Sequence, residues 1–317
     1  MNITSAWNRF WFSPAPYFDL AVLRIFAVGM QCFYMINEQF SDLQYVYSLP
    51  QVMYRPLPIL YAFLWPWGFA NPPAAQVVLA IYGLCLLLGF ASLVGLFTNV
   101  CLVLFAIGCL FLQTFVFSFR QYHHPEAIML IALLALSLGP SGRVLSFDSV
   151  LRRWRGGTTA ATAALVDYSG EFAGWPVRFI QCLYPLIYIS AATAKIANNH
   201  YSFDWANGFT LQYYLIQDHI RKGIPLALWA SQFHFLIQMS QIVILLYQCT
   251  YWLVLPFRKL LWIYLPLGIA FHLANYLILD APFPQWIALL AAYIPWAEAV
   301  RYLVAKQTVT AEPTERT

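Results

Sequence analysis

The chain has 317 residues, 61% of them hydrophobic and only 9% charged, and its mean hydropathy is +0.64. That balance lies outside the range of soluble globular domains and describes a polytopic membrane protein. The formal net charge of +4 is small and dispersed, which excludes nucleic-acid binding through a basic face. Aromatic residues make up 18%, including 12 Trp and 20 Tyr, a content suited to interfacial belts and an aromatic-lined interior.

The N-terminal stretch MNITSAWNRFWFSPAPY carries Arg9 but neither a short apolar run nor a small-residue cleavage site before Tyr17. No cleaved signal is expected, and the first helix itself directs insertion. Spanning the hydrocarbon core takes about 20 apolar residues in a helix. On that rule the expected architecture is an all-α bundle of about eight transmembrane helices, at 17–37, 74–96, 98–119, 125–139, 178–198, 228–254, 260–279 and 284–303. The second and third are joined by a tight turn at 97–99 and form an antiparallel hairpin. With the N-terminus inside, Arg9, Arg143, Arg152, Arg153, Arg155, Arg178, Arg258, Lys259, Arg301 and Lys306 fall on the inner side. Arg55, Arg120, Arg221 and Lys222 fall on the outer side, a bias that also places the C-terminus inside.

Between the spans, 38–73 contains the apolar but proline-interrupted LPILYAFLWPWGF and is expected to lie in the interface or re-enter the bilayer. Asp204 fits an N-cap for a short helix over 205–216. The stretch 143–174, with RRWRGG, reads as a solvated loop carrying an amphipathic helix against anionic lipid. Residues 1–306 form the membrane domain and 307–317 a disordered tail. No internal repeat is evident, which argues against transporters built on inverted repeats. The six cysteines stand singly in apolar runs with no CxxC, so neither a disulfide framework nor a zinc site is indicated.

Lys195, in the apolar run YISAATAKIANN, calls for an explanation, because a charge inside a span costs roughly 2.5–3.5 kcal/mol on insertion scales. Either its ammonium snorkels to the headgroups, or it serves a site. At 1.5 Å per residue Lys195 stands roughly 25 Å above the inner end of its helix, and His272 roughly 18 Å above the inner end of its own. His123 and His124 open the fourth helix from the outer side, His200 and His219 follow Lys195 in the outer loop, and His234 begins the sixth helix. Lys195, His124 and His272 therefore share the outer leaflet and read as one polar pocket.

Each also has a structural reading. His124, followed by Pro125 and Glu126, suits a helix start. His272 could be satisfied by Asn275 or Tyr264, and Arg24 anchors or pairs locally. His123, His124 and Glu126 contain metal donors, but neighbouring helical residues diverge by about 100°, so no metal is expected.

Four stretches, SPAPYFDLAVLRIF, HHPEAIMLIALLALSL, AATAKIANNHYSFDWANGFTLQYYL and FHLANYLILDAPF, resemble the transmembrane domain of vitamin K-dependent γ-glutamyl carboxylase. They also resemble its bacterial relatives, the horizontally transferred transmembrane (HTTM) domain proteins. The stretches follow the family's order across nearly the whole chain. The resemblance implies a lyase-like chemistry with a reduced quinone of the vitamin K or menaquinol type as cofactor. Lys195 would be the base that deprotonates the quinol, with His124 and His272 as catalytic partners. His123, Tyr201, Trp205 and Asn275 would line the quinol site. Oxygen addition would then give a base strong enough to remove a glutamate γ-proton before carbon dioxide capture.

The carboxylase continues into a long lumenal domain, whereas this sequence ends soon after Lys306. The expected partners are therefore membrane lipid and quinone, with a peptide substrate or a partner subunit. The other expectation is a non-catalytic accessory, maturation or immunity protein that binds a partner protein or lipid. The bacterial cytoplasmic membrane is the expected location.

Overall fold

A computed structural model describes residues 2–64, 71–119, 124–156, 162–281 and 283–310. The helices, in order, are α1 (Ile3–Phe12), α2 (Tyr17–Tyr34), α3 (Phe40–Ser48), α4 (Tyr61–Leu64), α5 (Ala75–Val94), α6 (Thr98–Phe117), α7 (His124–Leu138), α8 (Phe147–Gly156), α9 (Thr162–Asp167), α10 (Glu171–Ala197), α11 (Phe209–Lys222), α12 (Pro225–Ser231), α13 (His234–Thr250), α14 (Leu261–Leu279), α15 (Pro284–Leu289) and α16 (Trp296–Thr310). Two-residue strands β1 (Ala15–Pro16) and β2 (Ser169–Gly170) pair antiparallel, a minor exception in an all-α chain.

All eight expected apolar segments are helical. Among the described residues six helices are long and apolar enough to cross a membrane, or seven if the broken pair Pro284–Tyr293 and Trp296–Lys306 forms one span. Helix α7 is short at 15 residues. The sixth segment breaks at 232–233, so its span begins at His234 rather than near 228. The first span runs on to Ser48, whereas the sequence places its end at 37 and an interfacial or re-entrant stretch after it. A π-helical segment, Met35–Gln39, joins α2 to α3, and side chains of α5 and α6 hydrogen-bond to it. Tyr82 donates to the Met35 carbonyl at 2.9 Å, and Gln39 Nε2 donates to Gln113 Oε1 at 3.2 Å.

The chain forms two compact units, Met1–Arg178 with Ile294–Thr317, and Phe179–Tyr293. In the first, the α5–α6 hairpin turns through Gly95, whose φ of +76° suits glycine. An added Cβ there would lie 2.3 Å from Ser146 Cβ, so the turn and the 139–146 segment fit only with glycine. Arg24 is fully buried and structural. It donates to the carbonyls of Ser141 at 3.0 Å and Leu145 at 2.7 Å. Asp148, at the start of α8, accepts from Phe97 N at 2.9 Å, Thr98 N at 2.7 Å and Thr98 Oγ1 at 2.7 Å. It thereby caps α6 from fifty residues away in sequence and satisfies donors the helix leaves open.

In the second unit, α10, α13, α14 and α15 enclose a nest of tyrosines. Tyr184, Tyr188, Tyr251, Trp286 and Tyr293 are all buried; Tyr184 stacks on Tyr251 and meets Trp286 edge-to-face, as Tyr251 does Tyr293. Pro185 lacks an N–H and leaves the Gln181 carbonyl without its helical partner. Tyr293 supplies the substitute, its hydroxyl donating to Gln181 O at 2.6 Å. Gln181 Nε2 in turn donates to Ala292 O at 2.6 Å. Gly268 gives Tyr247 its room, since a Cβ there would sit 2.5 Å from the Tyr247 hydroxyl.

Candidate functional site

Lys195 lies in the last turn of α10, two residues before its end, and is half-buried. A snorkelling lysine near a helix end extends past that end toward the headgroups. This one turns the other way. Its Nζ folds back one turn, to 3.5 Å from Ala191 O, and donates to Gln248 Oε1 on α13 at 3.1 Å. The ammonium also stands 5.0 Å from the centroid of the Trp205 ring, a cation–π geometry worth about 0.5–2 kcal/mol depending on its hydration.

An apolar cluster packs against this corner. Ala192, Ala206 and Leu245 are buried together, with Ile196, Trp205, Ile242 and Cys249 packed against them. Both hydrogen-bond acceptors of Nζ are neutral, so the positive form meets dipoles and one aromatic face.

The loop after α10 is built to hold Trp205 there. Asn199 Nδ2 donates to the Lys195 carbonyl at 2.7 Å and closes the helix end. The chain then passes through positive φ at His200 and Tyr201 into the 3-10 turn Asp204–Asn207. The buried Gln241 donates to Trp205 O at 2.7 Å and pins that turn to α13. Asp204 is not the N-cap of a 205–216 helix. It lies inside the 3-10 turn, accepting from Ser202 Oγ at 2.7 Å, and the α-helix starts at Phe209 after Gly208 at φ +96°.

His272 is buried inside the tyrosine nest. Its Nε2 is 3.0 Å from the Tyr188 hydroxyl, and its ring meets Phe271, Phe283 and Trp286. The expected partner Tyr264 instead donates to Thr250 Oγ1 at 2.7 Å. Tyr188 stands seven residues before Lys195 on α10, hence on nearly the same face and about 10 Å lower along the axis. Two polar positions thus line one stripe of α10, with separate partners.

Of the remaining candidates, Tyr201 is 83% exposed. His124 opens α7 with its side chain outside the described residues, and His123 lies outside them altogether. His234 Nδ1 is 3.0 Å from Gln212 Oε1 and His219 Nδ1 is 3.0 Å from Ile224 O, so both histidines serve the α11–α13 region. Among the described residues no group of three His, Cys, Asp or Glu stands close enough to hold a metal.

Gln248, the direct partner of Lys195, was not singled out from the sequence. A glutamine in the apolar run IVILLYQCTYW was the available signal. Tyr188 was missed likewise, because its significance depends on a histidine 84 residues away.

Fold and site together define a multi-pass α-helical membrane protein in which one span carries a half-buried lysine that meets a glutamine of another span and a tryptophan of the following turn. Comparison with family models, with curated proteins and with solved structures gives no match. The likeness to HTTM proteins therefore rests on the four stretches quoted above.

Proposed function

We propose that the protein binds a reduced quinone of the vitamin K or menaquinol type at Lys195 and uses the lysine as the base toward a quinol hydroxyl. The observation that carries this reading is the inward turn of Lys195 onto Gln248 and Trp205, away from the nearest helix end. A lysine whose only task was to sit in a bilayer would reach outward. The surroundings suit the ligand: Trp205 offers an aromatic face to a quinoid ring, and Ala192, Ile196, Ile242 and Leu245 offer apolar walls.

In its neutral form the Lys195 amine accepts the hydroxyl proton and becomes an ammonium. Gln248 Oε1 and the Trp205 face then receive that new charge in place. The resemblance adds His272 to the same chemistry. In this chain His272 faces the Tyr188 hydroxyl, about 10 Å along α10 from Lys195, so its part would be separate from the proton transfer. Oxygen and a peptide or small-molecule co-substrate would complete the reaction.

The test is an anaerobic titration of the purified chain with reduced menaquinone, following tryptophan emission. Saturable quenching that Trp205→Phe reduces and Gln248→Leu weakens is expected. No saturable binding by a monodisperse, helical sample would end this reading.

A second reading has its own observation. Tyr201, Phe203, Phe209, Tyr213 and Tyr214 are all more than half exposed in one stretch after α10, a surface fit for a partner protein. In that case the chain is a non-catalytic accessory, and substitution of these aromatics, not of Lys195, would abolish its biological effect.

A further inference from the structure

Helix α8 is attached to the protein by its polar side. At 100° per residue, Asp148, Ser149 and Arg152 share one face, and all three are engaged. Asp148 holds the start of α6, Ser149 is buried, and Arg152 donates to Gly142 O at 2.6 Å. Phe147, Val150 and Trp154 fall within about 60° of one another on the opposite side. They are 53%, 59% and 80% exposed. Arg153 and Arg155 flank this stripe, one on each side. A helix that turns its apolar stripe away from its own protein needs another apolar phase to cover it.

The position of α8 says what that phase is. Its first turn caps the hairpin between two membrane spans, α5 and α6, so it stands at the level where those spans leave the hydrocarbon. Asn99 Nδ2 ties the same level to Gly139 O at 2.8 Å, just past the end of α7. We infer that α8 is an interfacial anchor, its Phe147–Val150–Trp154 stripe sunk at the acyl boundary and Arg153 and Arg155 bound to the phosphates of anionic lipid. Tryptophan and arginine are the side chains such a boundary selects. Each arginine near an anionic surface changes lipid affinity by roughly fivefold.

The test uses the full chain in nanodiscs of phosphatidylcholine with phosphatidylglycerol. The Trp154 signal is taken as the difference between wild type and Trp154→Phe, with lipids brominated either near the headgroup or deep in the chain. Trp154 is expected to be quenched most by the shallow bromine. The double variant R153Q/R155Q is expected to lower the phosphatidylglycerol retained by the protein severalfold, with unchanged circular dichroism. Lipid retention on the otherwise native chain gives a readout independent of the tryptophan substitution. A Trp154 open to aqueous acrylamide and untouched by bromine would overturn the proposal. So would one shielded from both, which would mean a protein partner, or lipid retention indifferent to the two arginines.

Discussion

Tyr293→Phe removes a single oxygen, and its consequence depends on a proline more than a hundred residues earlier. The Tyr293 hydroxyl donates to Gln181 O at 2.6 Å, a carbonyl that Pro185 has deprived of its helical N–H. With the hydroxyl gone, a buried acceptor is left without a donor, a loss of about 1–3 kcal/mol. Pro185→Ala restores an N–H at the i+4 position, so in that background the same Tyr293→Phe change should cost no more than about 0.5 kcal/mol of packing. The double-mutant cycle should therefore show a coupling on the order of 1–2 kcal/mol. Reversible unfolding in mixed micelles, followed by circular dichroism for all four proteins, measures it. Additive losses would refute the assignment of Tyr293 as the replacement donor.

Lys195→Met should raise the unfolding midpoint, because a half-buried charge gives way to a side chain that suits Ala192, Ile196, Ile242 and Leu245, while it abolishes any quinol-dependent turnover. A lower midpoint would mark Lys195 as structural. Gly95→Ala should destabilise by about 1–3 kcal/mol or more, from positive φ and overlap with Ser146 together, and Gly95→Asn should be milder in φ but meet the same overlap.

Burial pushes the Asp148 carboxyl up, but the donors Thr98 and Phe97, with Arg152 nearby, outweigh it, and its pKa lies below the ordinary value. Its contribution is thus complete above the unfolded-state pKa, about 3.9, and is lost as pH falls through the depressed folded-state value. Asp148→Asn should remove that acid-dependent component, and an unchanged acid limb would count against the cap.

Composition alone carried the membrane assignment, and the apolar runs located the core of each helix long and apolar enough to cross a membrane, because hydrocarbon demands uninterrupted internal hydrogen bonding. The errors fall where polar residues are paired inside the protein. Asn37, Glu38 and Gln39 read as the end of a span, yet Gln39 meets Gln113 and the helix continues to Ser48. The break before Trp296 follows from Pro295, which removes an N–H and restricts the residue before it. The break at 232–233 carries no such mark. Lys195 was conspicuous because one charge in an apolar run is rare. Its direction was not legible, since a lysine stem reaches either way along a helix and only Gln248 and Trp205 decide between them. The pairing of His272 with Tyr188 joins two helices far apart in sequence, and period and composition are silent on it.

The most direct test of the central claim is a single oxygen pulse delivered to the protein preloaded anaerobically with reduced menaquinone, comparing wild type with Lys195→Met. The account predicts oxygen uptake and an oxygenated quinone product in wild type, with binding retained but product absent in the variant. Equal product from both proteins would contradict the role of Lys195 as base.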